Sequence, residues 1–159
     1  MADRAPRGLE RHAVPAGKTG ILHEPGKTTM ANATAATRSR KDAATGFRQL
    51  VVSGKIRETY AAYVREDMRH HNPAFAGDAS SLKKAIEQNH VMFPNKVFKP
   101  KHVIEEGDYV VVHSHILLKP GDPGIAAVHI FRFEGDRIAE LWDIGQPVPK
   151  ETPNTGGMF

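Results

Sequence analysis

The chain contains no cysteine, which excludes a disulfide framework, a thiolate metal centre and a cysteine nucleophile. Aromatic residues are scarce, at 7% with a single tryptophan. No apolar run approaches the roughly 18 residues that a membrane helix requires, and no continuous apolar segment of a secretory signal stands at the N-terminus. These absences lead to the expectation of an intracellular, cytoplasmic protein with no membrane contact. What is present is ordinary for one soluble domain: 159 residues, 40% hydrophobic and 25% charged, enough for a single core.

The formal charge of +4 is unevenly spread. Residues 1–41 carry 8 Lys/Arg against 3 Asp/Glu, a balance of +5, and the remaining 14 Lys/Arg against 15 Asp/Glu leave −1. The basicity is therefore a property of the first segment. The rest is near neutral and has no helix-turn-helix or RNA-binding signature, so no nucleic-acid partner is expected. Residues 1–41 are rich in Gly, Pro, Ala, Thr and Arg and lack periodicity. They read as a disordered basic extension ahead of a domain over 42–159. A transit peptide fits less well, because Asp3, Glu10 and Glu24 are acidic, and Met30 is an alternative start.

From Asp42, a residue suited to capping, Phe47, Leu50 and Val51 recur at helical spacing up to Gly54. Ile56, Tyr60, Tyr63 and Val64 continue at i, i+4, i+7 and i+8. MRHHNPAF follows as a short edge strand or loop, since Pro73 opposes a helix. Asp78 caps a third helix that Pro94 closes. Four segments then read as strands, VFKPKHVIEE, YVVVHSHILL, GIAAVHIFRFE and RIAELWDIGQ, separated by the turn residues EGD, KPGDPG and EGD. They predict an antiparallel meander and an α+β fold with helices on one side of the sheet.

Strand alternation groups His113 and His115 with Tyr109, Val111 and Leu117, His129 with Ala127 and Phe131, and Asp143 with Leu141. Both faces of these strands are apolar. Long charged side chains favour the outer face, and on that argument Arg132 and Glu140 point outwards. His113, His115, His129 and Asp143 are then expected to face inwards together. An ionised carboxylate in an apolar hollow is costly unless paired, so Asp143 calls for an imidazole partner or a raised pKa, which suits acid–base chemistry near neutral pH. Taken singly, each histidine has a plainer reading as a hydrogen-bonded core residue.

The strings HHNP at 70–73, EEGDYVVVHSH at 105–115, HIFRFEGDRIAELWDIGQPVP at 129–149 and the ending NTGGMF resemble SnoaL-like polyketide cyclase-type proteins of the nuclear transport factor 2-like superfamily. The resemblance implies a cone-shaped, cystatin-like α+β barrel with a pocket at its open end and frequent dimerisation through the sheet. It implies Asp143 as catalytic acid/base, His129 as its catalytic assistant and Asn72 as a pocket amide. His71, His113, His115, Phe131 and Trp142 complete the expected substrate-binding set. Ala127 stands where the cyclases carry a pocket Gln, a departure that bears on the substrate.

The leading expectation is therefore a cofactor-free enzyme of the cyclase or isomerase type acting on a small hydrophobic or carbonyl-containing ligand, with no metal. Two rivals are a non-catalytic, dimeric ligand-binding module and a metal protein using Gly107, His113, His115 and His129 in a cupin-like spacing. A homodimer is expected through an apolar face of Val110, Val112, Ile116, Val128, Ile130 and Ile144. Met158 and Phe159 are expected to dock on a pocket mouth or a partner.

Overall fold

The computed structural model describes residues 38–159; most of the basic extension, including its expected disorder, lies outside the described residues. Three helices and five strands follow in the order α1 (Arg40–Val52), α2 (Ile56–Tyr63), β1 (Val64–His70), α3 (Ala79–Met92), β2 (Val97–Glu106), β3 (Tyr109–Leu117), β4 (Ile125–Glu134) and β5 (Arg137–Pro147). This is the α+β layout that the periodicity predicts. Among the described residues no helix is long and apolar enough to cross a membrane.

α1 starts two residues before Asp42. Its cap is Ser39, whose hydroxyl accepts from the Asp42 backbone N–H, while Asp42 sits in the first turn. Both positions suit their residues, a hydroxyl on an unpaired N–H and a carboxylate at the positive end of the helix dipole. The helix closes through Ser53 and Gly54, whose N–H groups donate to the carbonyls of Gln49 and Val51. Gly54 has φ +84°, and a β-carbon there would lie 2.4 Å from the His90 ring, so only glycine fits this turn. α3 is capped by Asp78, which accepts from Ser81 N at 2.8 Å.

β2 to β5 form the antiparallel meander, and β1 adds to β5 in parallel, giving the order β1-β5-β4-β3-β2. The sheet curves without closing, so β1 and β2 remain edges. The helices cover one face. Phe47, Val51 and Val52 of α1 and Ile56, Tyr60 and Tyr63 of α2 meet Val110, Val112, Phe131, Phe133, Ile138 and Leu141 in one core. Phe47 and Phe131 form its centre, edge to face at 5.8 Å between ring centroids. An ion pair between Arg40 and Asp108 (2.8 Å), with Arg40 also donating to the Gly107 carbonyl, ties the start of α1 to the β2–β3 turn.

The register decides which face is inner. Val112 pairs with His129, and His129 with Asp143. Directly opposed residues on neighbouring strands share a face. Val110, Val112, Ser114 and Ile116 are therefore inward and buried, together with Ala127, His129, Phe131 and Phe133. His113 pairs with Val128 and lies on the outer face, as does His115 opposite Ala126. The inward placement expected for these two histidines is thus reversed. The expected dimer face was a mixture, because Val110, Val112 and Ile116 belong to the core.

Candidate active site

Between α1, α3 and the upper halves of β3, β4 and β5 lies a cavity of about 380 Å³. Its walls are mostly aliphatic: Val51, Val52, Leu82, Ile86, Ile116, Ile125 and Leu141. α1 contributes Arg48, Val51 and Val52 at i, i+3 and i+4, and α3 contributes Leu82, Ala85, Ile86 and Asn89 at i, i+3, i+4 and i+7. Each helix thus turns one stripe towards the cavity. Six polar side chains join this lining: Arg48, Asn72, Asn89, Lys96, His129 and Asp143.

Asp143 and His129 face each other as a cross-strand pair of β5 and β4. The partner of Asp143 is an amide, not the imidazole that its position in an apolar hollow suggested. Asn72 Nδ2 donates to Asp143 Oδ2 at 3.1 Å. The Asn72 amide is itself oriented, since its Oδ1 accepts from Ala74 N at 2.9 Å. The loop carrying it is anchored by the buried His70, whose Nε2 meets the Ala76 carbonyl at 2.6 Å. His71 N–H also donates to the Leu141 carbonyl at 2.9 Å. This compact turn sets Asn72 beside Asp143 in β5.

Three polar atoms of this lining are left open. Asp143 Oδ1, His129 Nδ1 and Arg48 Nε are all buried without a hydrogen-bond partner. Buried polar groups are usually paired, and an unpaired one costs about 1–3 kcal/mol. Three such atoms, one from α1 and two from the sheet, belong to residues that line the same cavity. Burial, aided by the nearby Arg48 charge, holds the His129 pKa well below the usual histidine value, so the ring is neutral at physiological pH. Burial lowers the Arg48 guanidinium to about 10 against the opposing pull of Asp143. Lys96 falls to about 8 through burial and the Arg48 charge.

The other expected site residues lie elsewhere. His71 stacks on Trp142 (4.5 Å between centroids, 3° between planes) and meets Glu140 at 2.9 Å. Arg132 and Arg69 approach the same carboxylate at 2.8 and 3.4 Å. Arg132 and, second to it, His71 hold the Glu140 carboxyl below its usual range. His71 and Trp142 thus serve an outer-face network that includes the outward Arg132 and Glu140. Phe131 is wholly buried next to His129 and belongs to the core, not to the cavity lining.

His113 Nδ1 meets His102 Nδ1 at 3.0 Å, and His115 Nε2 meets the Pro123 carbonyl at 2.7 Å. Phe159 lies against both His113 and His115, with ring centroids 5.7 and 4.3 Å away. The chain end therefore docks on the outer sheet face, away from the cavity. This placement also removes the cupin-like metal reading, because His113 and His115 are on the opposite side of the sheet from His129. Among the described residues no cluster of three His, Cys, Asp or Glu could hold a metal ion.

Arg48 and Lys96 are functional candidates that sequence reasoning overlooked. The signal for Arg48 was available: it falls four residues after Ala44 and three and four before Val51 and Val52, a cation within an apolar stripe. Lys96 follows Pro94 in a short turn, where no periodicity marks a side.

Comparison with known proteins agrees with this architecture. The SnoaL-like domain family profile matches residues 44–141. A search of curated proteins finds no match. A candidate polyketide cyclase, IdmH from Streptomyces antibioticus, superposes with a TM-score of 0.54 at 21% identity, over 68% of this chain and 92% of that one. Another candidate polyketide cyclase, from Acidithiobacillus ferrooxidans, gives 0.54 at 21% identity, over 67% and 88%. An NTF2-like protein of unknown function from Cytophaga hutchinsonii gives 0.57 at 16%, over 69% and 91%. At these identities the structural likeness speaks for the fold.

Proposed function

The chain belongs to the SnoaL-like domain family, and on that premise we propose that it is a cofactor-independent enzyme enolising a carbonyl compound with Asp143 as base and His129 as hydrogen-bond donor. The observation that carries this reading is the cross-strand pair Asp143 and His129, each with a buried unpartnered atom, Oδ1 and Nδ1, in a mostly aliphatic cavity. The Asp143 carboxylate removes the proton α to the carbonyl. The C–H electron pair moves to the carbonyl oxygen, and the neutral His129, with its proton on Nδ1, donates to the enolate that forms. Asn72 holds the other carboxylate oxygen, so the base is oriented before substrate arrives.

Two outcomes then use the same residues. Return of the proton from Asp143 to a different carbon completes an isomerisation. Attack of the enolate carbon on a second carbonyl of the same molecule, with the Asp143 proton passing to the new alkoxide, completes an aldol cyclisation. Candidate polyketide cyclases among the structural neighbours favour the second.

The test is exchange of α-protons for deuterium in a panel of diketones, followed by NMR. Wild-type protein is expected to catalyse exchange, and Asp143→Asn, which keeps the shape but not the basicity, to lose about a hundredfold or more, the usual size of a general-base contribution. Equal exchange by the two proteins, or none by the wild type, would leave a ligand-binding module as the better description.

A further inference from the structure

Two cations and one carboxylate line the cavity, and enolisation of a neutral ligand uses only the carboxylate. Arg48 and Lys96 come from separate elements, α1 and the turn ahead of β2, yet both reach the same aliphatic chamber. Neither pairs with a carboxylate among the described residues. Arg48 leaves Nε buried and unpartnered, and its guanidinium lies 5.9 Å from the centre of the Phe98 ring. Lys96 Nζ donates to Asn89 Oδ1, a neutral partner. The Asn72 amide is committed to Asp143 and Ala74. With His129 neutral, the lining carries one unbalanced positive charge.

We propose that the cavity selects a ligand with an apolar body and one carboxylate, which the Arg48 fork and the Lys96 ammonium hold together. A guanidinium suits a planar carboxylate because it offers parallel N–H donors at matching spacing. The Arg48 charge contributes to lowering both Lys96 and His129. An anion between the two cations relieves that repulsion.

The charge balance also suits the reaction of the preceding section, on which the keto-acid form of this inference rests. With a monoanionic ligand, cavity and ligand together are neutral. Proton transfer to Asp143 turns the ligand into a dianion and the lining into a double cation, and the sum stays at zero. The preferred substrate class is accordingly a keto acid, its carboxylate at Arg48 and Lys96 and its acidic carbon at Asp143.

Binding can be tested apart from turnover. Phenylpropanoate and its uncharged amide have nearly the same shape, and calorimetry on the full chain compares them directly. Wild-type protein is expected to bind the carboxylate at least ~10-fold more tightly, and Arg48→Gln to bring the ratio below ~2, in line with loss of a charge-assisted contact. Lys96→Met, at a half-buried turn position, is expected to lower the ratio by ~3-fold. It also serves as the test if Arg48→Gln does not fold.

Equal binding of acid and amide, no binding of either, or a ratio unchanged in both variants overturns the inference. Asp143→Asn separates the two ideas, because it abolishes exchange on the enolisation reading but retains or strengthens carboxylate binding. Carboxylate selectivity without any exchange would refute the enzyme and keep the anion site. Exchange without selectivity would do the reverse.

Discussion

The neutrality of His129 is the residue-scale feature with the widest reach. Its folded pKa lies well below the ordinary 6.5 through burial first and the Arg48 charge second. An unfolded chain therefore binds a proton at this ring that the folded one rejects. Where the unfolded state binds more protons, stability rises with pH, so this contribution is fully present above the unfolded value and is lost as pH falls below it. Urea unfolding at a series of mildly acidic pH values should show a steeper loss of stability in wild type than in His129→Gln. Parallel curves would mean that the ring takes up its proton in the folded state. The same neutrality matters chemically, since a charged imidazole beside Asp143 would hold the carboxylate in an ion pair and blunt its basicity.

Among the elements, the α1–α2 turn has little latitude. Gly54 combines φ +84° with a β-carbon position 2.4 Å from His90, so Gly54→Ala incurs left-handed strain and a clash. A cost of about 1–3 kcal/mol is expected, visible as a lower thermal midpoint, and a wild-type midpoint would show that the helices can re-seat. How far the elements were legible follows from how each is encoded. α3 announces both ends through Asp78 and Pro94, and the meander announces its turns, because capping and turn residues act over a few neighbours. β1 was harder: its parallel partner β5 lies near the far end of the chain, and no local turn records such a pairing. The cavity was half legible. Asp143, His129 and Asn72 are where the strand pattern and the family resemblance pointed. His113 and His115 are not, because alternation separates two faces of β3 without telling which is inner, and both were apolar. The set without titratable groups, Val110, Val112, Ser114 and Ile116, was the buried one. Arg132 and Glu140 correctly marked the outer face of their own strands, but their argument did not extend across to β3 without the register.

At the scale of the whole molecule, the outer sheet face carries a continuous apolar row. Ile104, Val111, Ile130 and Trp142 are successive register partners across β2, β3, β4 and β5, and Ile104 is 60% exposed. Such a row on an uncovered face suits a second copy of the chain. A dimeric mass is expected from light scattering at micromolar concentration, with Ile130→Lys shifting it to monomer; a monomeric wild type would sink the idea. Beside this row the chain end seats Phe159 on His113 and His115, with Lys101 Nζ 5.1 Å from the same ring. Removing Met158 and Phe159 should lower the thermal midpoint measurably, and an unchanged midpoint would show that the contact adds nothing. The parallel pairing of β1 with β5 has a consequence during synthesis. On the ribosome, β1 emerges long before its only partner strand, so its edge and the Asn72 loop wait unpaired while some 70 further residues are translated. The Asn72–Asp143 contact forms only when β5 has left the exit tunnel. A nascent chain arrested after β4 would have its helices and hairpins, but no Asn72–Asp143 contact, and the cavity would be among the last parts of the protein to be completed.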